Sequence, residues 1–545
     1  MKRILHSFNR PDARVSLSLS MLLLAVVTLF VTAPKDDEFW WTDAPGHALN
    51  GALLHDYIAT FDFNSAMKFA TNYYLRYPAL TITLYPPLMP IVEAMVYIGT
   101  GVSNFGAQLS VAIFTAVLAY FLYDAVRTAF SPLAAVGAAL LVLSMPAVAL
   151  WSRQVMLEIP ALALLAAAAA FFLRFLEDGK AWRLYLSVLL LCGAAYTKQP
   201  AIFAIVPFAL SLLVETRGAA LRQSSTWFAA ALGFCLLLPL AGFIIILDRY
   251  NLEEVAGIGP EAGSNFAVAS WLWYARALPG IAGWAALVAA VGYLVVLAWA
   301  GPASRRERRL VTLMLAWFIT DYIFISPIAH REPRYGIFLI VPIAILAIGL
   351  VVRGLPRAIA AEAAVAIGAL AFVITVATQP VPRVSGYDAV AAFILQHADK
   401  NSVVLFHGYR SPNFVFSLRA QSVAPKLYVL RSEKLLLNYR ISRDSGVTDR
   451  GVSRSALEQI VDRYGVSYVV FQPDFWTDLP SMAAMQDFIY SDRFSKIAEF
   501  PIRGNVPIPE HELMIFKNNR PTHPENPEIE LNMPLLGGKI SGNIR

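Results

Sequence analysis

LYPPLMPIVEAMVYIGTG, residues 84–101, is the stretch on which the topology of this chain turns. Its apolar content suits a membrane crossing, yet it carries Pro86, Pro87 and Pro90 in its first half and Glu93 at its middle. Proline removes an N–H that a helix interior needs, and a carboxylate at bilayer depth is costly. The segment either crosses or lies at the surface, and that choice sets the side of every later loop.

The chain around it is 545 residues long, 57% hydrophobic and only 15% charged, with a mean hydropathy of +0.56. A soluble chain carries about a quarter charged residues. Apolar blocks fall near 15–33, 107–126, 132–150, 158–176, 183–198, 200–214, 226–248, 281–300, 309–328, 336–353 and 356–378. If 84–101 does not cross, Lys2, Arg3, Arg10 and Arg14 share a side with every later basic loop. Those loops hold Arg127, then Arg174, Lys180 and Arg183, then Arg217 and Arg222, then Arg305, Arg306, Arg308 and Arg309, then Arg353 and Arg357. Basic loops gather on the cytoplasmic side. If 84–101 crossed, all of those loops would face away from the basic N-terminus. The segment therefore reads as juxtamembrane or re-entrant. The expected fold is a polytopic α-helical membrane protein with about eleven transmembrane helices. Its N-terminus is cytoplasmic, as a retained signal anchor in the plasma (inner) membrane, and residues 380–545 are extracytoplasmic.

The net charge of +6 follows from these loops and does not point to nucleic acid. Cys192 and Cys235 lie inside apolar runs, which argues against a disulfide framework. The expected organisation is a membrane domain over 1–379, with an outer loop at 34–106, a small α/β domain over 380–520, and a flexible tail over 521–545. In the α/β domain, SVVLFHG (402–408) and VSYVVFQ (466–472) read as strands, each after a helical stretch.

This sidedness collects polar residues on the outer face. Asp36, Asp37 and Glu38 directly follow the first span and abut Trp40 and Trp41. Crowding and burial raise a carboxyl pKa, and such a group suits general base work; a solvated polar cap is the plainer reading. Asp43, His47 and Asn50 share a helical face, either a ligand face or the wet side of an interfacial helix. Glu158 sits at a span mouth, where an acid marks function or pairs with Arg153. Lys198, in TKQP, either serves a site or snorkels to lipid phosphate. His330, Arg331, Glu332, Arg334 and Tyr335 form a basic cluster on the side where positive charge is disfavoured, and an anionic ligand accounts for it.

The order of these segments resembles the GT-C superfamily of membrane glycosyltransferases, in the branch of protein O-mannosyltransferases and lipid A aminoarabinose transferases. The matching pieces are Asp37-Glu38, YPPL at Tyr85–Leu88, RxxxLExP at Arg153–Pro160, TKQP at 197–200 and REPRY at 331–335. The resemblance implies transfer of a hexosyl or pentosyl group from a polyprenyl-phosphate donor to a lipid, glycan or protein acceptor, with inversion. It implies Asp37 as the base, with Glu38 beside it, and Glu158 as a contact to acceptor or donor hydroxyls. Lys198, Arg331, Arg334 and Tyr335 would hold the phosphate. Arg76 is a further phosphate candidate, because Tyr85 stands where some members have lysine. No cofactor is implied; Asp43 and His47 leave a divalent metal open. A transporter or flippase of lipid-linked sugars, or a non-catalytic membrane sensor, would use the same groups for binding alone.

Overall fold

The structure is a computed structural model that describes residues 11–60, 63–248, 253, 267–328, 330–422, 427–439, 443, 446–522, 528–533 and 538–543. Lys2, Arg3 and Arg10, and residues 249–252 and 254–266 between two of the apolar blocks, lie outside the described residues. The chain divides into two compact units.

The first unit comprises Met1–Ala33, Tyr85–Met89 and Gln108–Val381. Among the described residues, six helices are long and apolar enough to cross a membrane: Asn104–Val126, Glu158–Asp178, Gln199–Thr216, Ser224–Ile246, Pro333–Gly354 and Arg357–Thr378. A seventh crossing arises if Val268–Ala282 and Trp284–Ala300 count together; they bend by 112° at Gly283, whose φ of +85° suits glycine. The expected eleven is therefore not reached by helices of spanning length among the described residues. Val15–Val31, Pro132–Ser144 and Ala181–Ala195 are shorter apolar helices. Prolines explain one break, since Pro146 starts a new helix directly after Ser144. Arg305–Ile325 is helical but heavily charged at its start, and Asp321 is buried within it.

Small residues set the packing of this unit. The helix Glu158–Asp178 carries five consecutive alanines, Ala166–Ala170, all buried, and Ser187 donates to the Ala168 carbonyl at 2.9 Å. Pro132–Ser144 and Arg357–Thr378 meet through glycines: a Cβ on Gly368 would stand 2.5 Å from the Gly137 carbonyl oxygen. Such close backbone approach replaces the hydrophobic drive that lipid cannot supply.

The second unit comprises Pro34–Leu84, Pro90–Ala107 and Pro382–Arg545. The outer loop, expected to belong to the membrane domain, thus groups with the C-terminal domain. Its helices are Ala44–Thr60, Ala66–Arg76 and, from Pro90 on, Leu88–Thr100. The last is 13 residues long, roughly 20 Å at 1.5 Å per residue and short of a bilayer core. The C-terminal part holds a five-stranded sheet ordered Leu427–Arg431, Ser402–His407, Val466–Phe471, Glu512–Asn518, Phe494–Pro501. The first three strands are parallel, with Val404 opposite Val429 and Tyr468, and the last two join antiparallel. Both expected strands and both preceding helices, Tyr387–His397 and Arg454–Tyr464, are present. Tyr74 and Leu75 of the loop pack into the same core as Leu405, Leu430, Val469 and Phe471. That shared core explains the grouping. Within the expected tail, Glu528–Met533 and Gly538–Asn543 pair as antiparallel strands, so part of it is ordered.

Candidate functional site

The first unit holds the predicted phosphate residues Lys198, Arg331, Arg334 and Tyr335. Glu158 opens the helix Glu158–Asp178 and is fully buried. Lys198 follows the helix Ala181–Ala195 in extended conformation, just before a 3₁₀ turn that contains Pro200. That break turns its side chain inward, and Nζ lies 2.5 Å from Glu158 Oε1. Lys198 is only 8% exposed, so it does not snorkel to lipid. Arg153 does not pair with Glu158 either. It donates to the Ala149 carbonyl at 2.8 Å and to Gln379 Oε1 at 3.0 Å.

The segment 330–335 completes this cluster. Lys198 Nζ sits 5.3 Å from the Tyr335 ring centre, and the Arg334 guanidinium 5.4 Å from the same ring. Arg334 pairs with Glu332, and His330 Nε2 lies 2.8 Å from Glu332 Oε1. Burial raises the Glu332 carboxyl, but the His330 hydrogen bond and the Arg334 charge outweigh it and hold the group below its ordinary range. Arg331 donates to Ser270 Oγ at 2.7 Å, and its Nε has no acceptor among the described residues. Glu158 Oε2 is likewise without a partner among them. Chemically this is a set of fixed cations, each partly satisfied, with donors left over for an incoming oxyanion.

Several members of this cluster escape a reading of the sequence. Tyr274 donates to the Glu332 carbonyl at 3.4 Å. Asp321 is fully buried, and neither carboxylate oxygen has a hydrogen-bond partner among the described residues. An aspartate inside the apolar run 309–328 is the available signal. Tyr85 lies in this unit, in the short stretch Tyr85–Met89.

The acidic candidates lie in the second unit. Asp36 is exposed and 3.7 Å from Lys35. Asp37 is half-buried; Arg383 Nη1 stands 3.2 Å from its Oδ2, and Asn104 donates to its backbone carbonyl at 2.5 Å. Glu38 is 4% exposed and serves as a helix cap. Its Oε1 accepts from the Gly386 and Asp388 amides at 3.1 and 2.7 Å, covering the N-terminus of Tyr387–His397. A carboxylate satisfies the free N–H groups there. Burial nevertheless pushes the Glu38 carboxyl up to about 7, against those two hydrogen bonds. The contacts of the expected catalytic neighbour Glu38 are thus those of a cap.

The remaining candidates in that unit lie on or near the helices of the outer loop. Asn50 exchanges hydrogen bonds with Thr81, both at 3.0 Å, and His47 is 2% exposed on the same helix. Among the described residues no three His, Cys, Asp or Glu side chains group as metal ligands, Asp43 and His47 included. Arg76 lies 4.3 Å over the Tyr428 ring, stacked on the α/β domain. The predicted residues thus divide between the units: Glu158, Lys198, His330, Arg331, Arg334 and Tyr335 fall in one, Asp36, Asp37, Glu38, Asp43, His47 and Arg76 in the other.

Residues 85–243 match the dolichyl-phosphate-mannose-protein mannosyltransferase family. No curated protein matches the chain in sequence. ArnT from Cupriavidus metallidurans bound to undecaprenyl phosphate is similar in structure, with a TM-score of 0.58 at 15% identity, over 95% of this chain and all of that one. Its apo state gives 0.60 at 15% identity, over 93% and 99% of the two chains. The oligosaccharyltransferase AglB from Archaeoglobus fulgidus, in complex with an inhibitory peptide and a dolichol-phosphate, gives 0.51 at 13% identity, over 91% of this chain and 75% of that one. The chain thus has a fold similar to that of ArnT and AglB, and its residues 85–243 match the dolichyl-phosphate-mannose-protein mannosyltransferase family.

Proposed function

We propose that this protein transfers a hexosyl or pentosyl group from a polyprenyl-phosphate donor to an acceptor hydroxyl on the extracytoplasmic face. The observation that carries the reading is the grouping of buried Lys198 with half-buried Arg334 and Tyr335 at span ends, with Arg331 in the same short segment. It stands in a fold whose similar structures hold undecaprenyl phosphate and dolichol-phosphate. A donor of this kind keeps its tail in the bilayer and its phosphate at the interface, so fixed cations belong at span ends.

Lys198, Arg331 and Arg334 would hold the phosphate and take up the charge that develops on it as the glycosidic bond breaks. Glu158 would hold Lys198 in place. Asp37 would act as general base: it accepts the acceptor hydroxyl proton as the new O–C bond forms, and the phosphate leaves with the electron pair of the old one. That displacement inverts the anomeric carbon. Arg383 would position the Asp37 carboxylate. The test is undecaprenyl phosphate binding to the purified full chain. Arg331→Gln and Arg334→Gln should each weaken it about tenfold, the worth of one charge-assisted hydrogen bond. Unchanged binding in both would remove the basis of the proposal.

A further inference from the structure

A second charged site lies at the far ends of the same membrane helices. Glu158–Asp178 and Gln199–Thr216 both begin beside the Glu158–Lys198 pair, and Arg305–Ile325 ends shortly before His330. Followed the other way, all three lead to one open cavity of about 900 Å³. From Glu158 to Phe175 the helix rises roughly 25 Å, so the cavity is distinct from the proposed donor site. Its lining includes Phe175, Glu215, Arg217, Arg305, Arg308 and Arg309.

Four guanidinium groups here face one lining carboxylate, and that carboxylate is occupied. Arg308 binds Glu215 with two hydrogen bonds, at 3.2 and 3.1 Å, and Thr312 adds a third at 3.3 Å. Arg309 Nε is 3.8 Å from Glu215, beyond hydrogen-bond reach. Its side chain is only 10% exposed, and Nε has no hydrogen-bond partner among the described residues. A buried donor left unmade is costly. Arg217 and Arg305 are exposed and make no ion pair among the described residues. Ser304, which caps the Glu307 amide at 3.0 Å, and Arg305 also line the cavity. Orientation of the chain in the membrane accounts for arginines in these loops. It does not account for a concave site with a buried, unsatisfied guanidinium.

We propose that this cavity binds a phosphate group, carried by an anionic lipid headgroup or by a soluble phosphoester. Arginine suits that ligand because its planar fork matches phosphate oxygens in pairs. Arg309 would supply the buried contact, with Arg217 and Arg305 closing from the solvent side.

The experiment measures equilibrium binding to the full chain in detergent of three probes: phosphatidylglycerol, phosphatidylcholine and inorganic phosphate. Arg309→Gln should weaken binding of the favoured probe about tenfold. Because Arg309 is buried, the double variant Arg217→Gln/Arg305→Gln, confined to exposed side chains, should give a loss of similar size with the fold intact. Preference for phosphatidylglycerol over both other probes supports a lipid headgroup. Preference for inorganic phosphate supports a soluble ligand. The proposal is overturned if neither phosphate nor phosphatidylglycerol binds. It is equally overturned if phosphatidylcholine binds as well as phosphatidylglycerol, or if the double variant binds like the unmodified chain.

Discussion

Replacing Lys198 with methionine removes the one group that, among the described residues, neutralises Glu158 at hydrogen-bond distance. Glu158 is 0% exposed, and its Oε2 has no partner among those residues even when Lys198 is present. Lys198→Met would therefore strand a buried carboxylate, and breaking such a pair costs about 3–5 kcal/mol. Arg334 also acts electrostatically on Glu158, which places the expected loss near the lower end, about 3 kcal/mol, or roughly a hundredfold in the folding equilibrium. Adding Glu158→Gln removes the stranded charge and should restore most of that loss, since a neutral replacement of a buried pair is close to neutral in stability. The assay is an SDS titration of the purified chain in mixed micelles, followed by tryptophan fluorescence, for both single variants and the double. A double variant as damaged as the sum of the singles, within about 0.5 kcal/mol, would show that the two groups do not interact and would refute the buried-pair assignment.

Other perturbations probe the framework. Glu38 titrates near 4.5 when unfolded and near 7 when folded, so between those values the folded chain holds a proton that the unfolded chain has lost. Raising the pH through that window should cost stability, at most about 3 kcal/mol, and Glu38→Gln should flatten the slope; an unchanged pH profile contradicts the assignment. Gly137→Ala should push a methyl into the Ala364 backbone and cost about 1–3 kcal/mol. Gly99→Ala, where no atom lies within 4 Å, should cost nothing comparable in the same denaturation assay. Arg419→Gln should remove the paired hydrogen bonds to Asp56, one at 2.6 Å, and leave that carboxylate with the Tyr73 hydroxyl at 2.9 Å and the neighbouring His55. Expected is a loss of about 1–3 kcal/mol, read as faster proteolysis of the outer-loop helices.

Much of the candidate site is legible in the sequence because its residues break a strong pattern. Glu158, Lys198 and 330–335 are polar groups at the mouths of apolar runs, and loop parity places them on one side without any structure. Short β-rich apolar runs make residues 402–408 and 466–472 visible as strands against their polar surroundings. What stays hidden depends on partners remote in sequence. Glu38 reads as one of three acids in a row; its use as a helix cap rests on Gly386 and Asp388, some 350 positions away. The grouping of the outer loop with the α/β domain rests on Tyr74 and Leu75 entering a core built from strands at 402–471. The helix Val268–Ala282 falls almost wholly between the apolar blocks 226–248 and 281–300, because Tyr274 and Arg276 interrupt its apolar run and Pro279 and Gly280 look like a turn.

The central claim is that the chain moves a sugar and that Asp37 is the base. Mass analysis of cell-envelope lipids and glycans should be made from cells lacking the chain, cells carrying it, and cells carrying Asp37→Asn at the same protein level. The expected result is a glycosyl increment that appears only with the unmodified chain, while the Asp37→Asn protein still binds undecaprenyl phosphate. The increment persisting undiminished in Asp37→Asn cells, or no difference between cells with and without the chain, would contradict it.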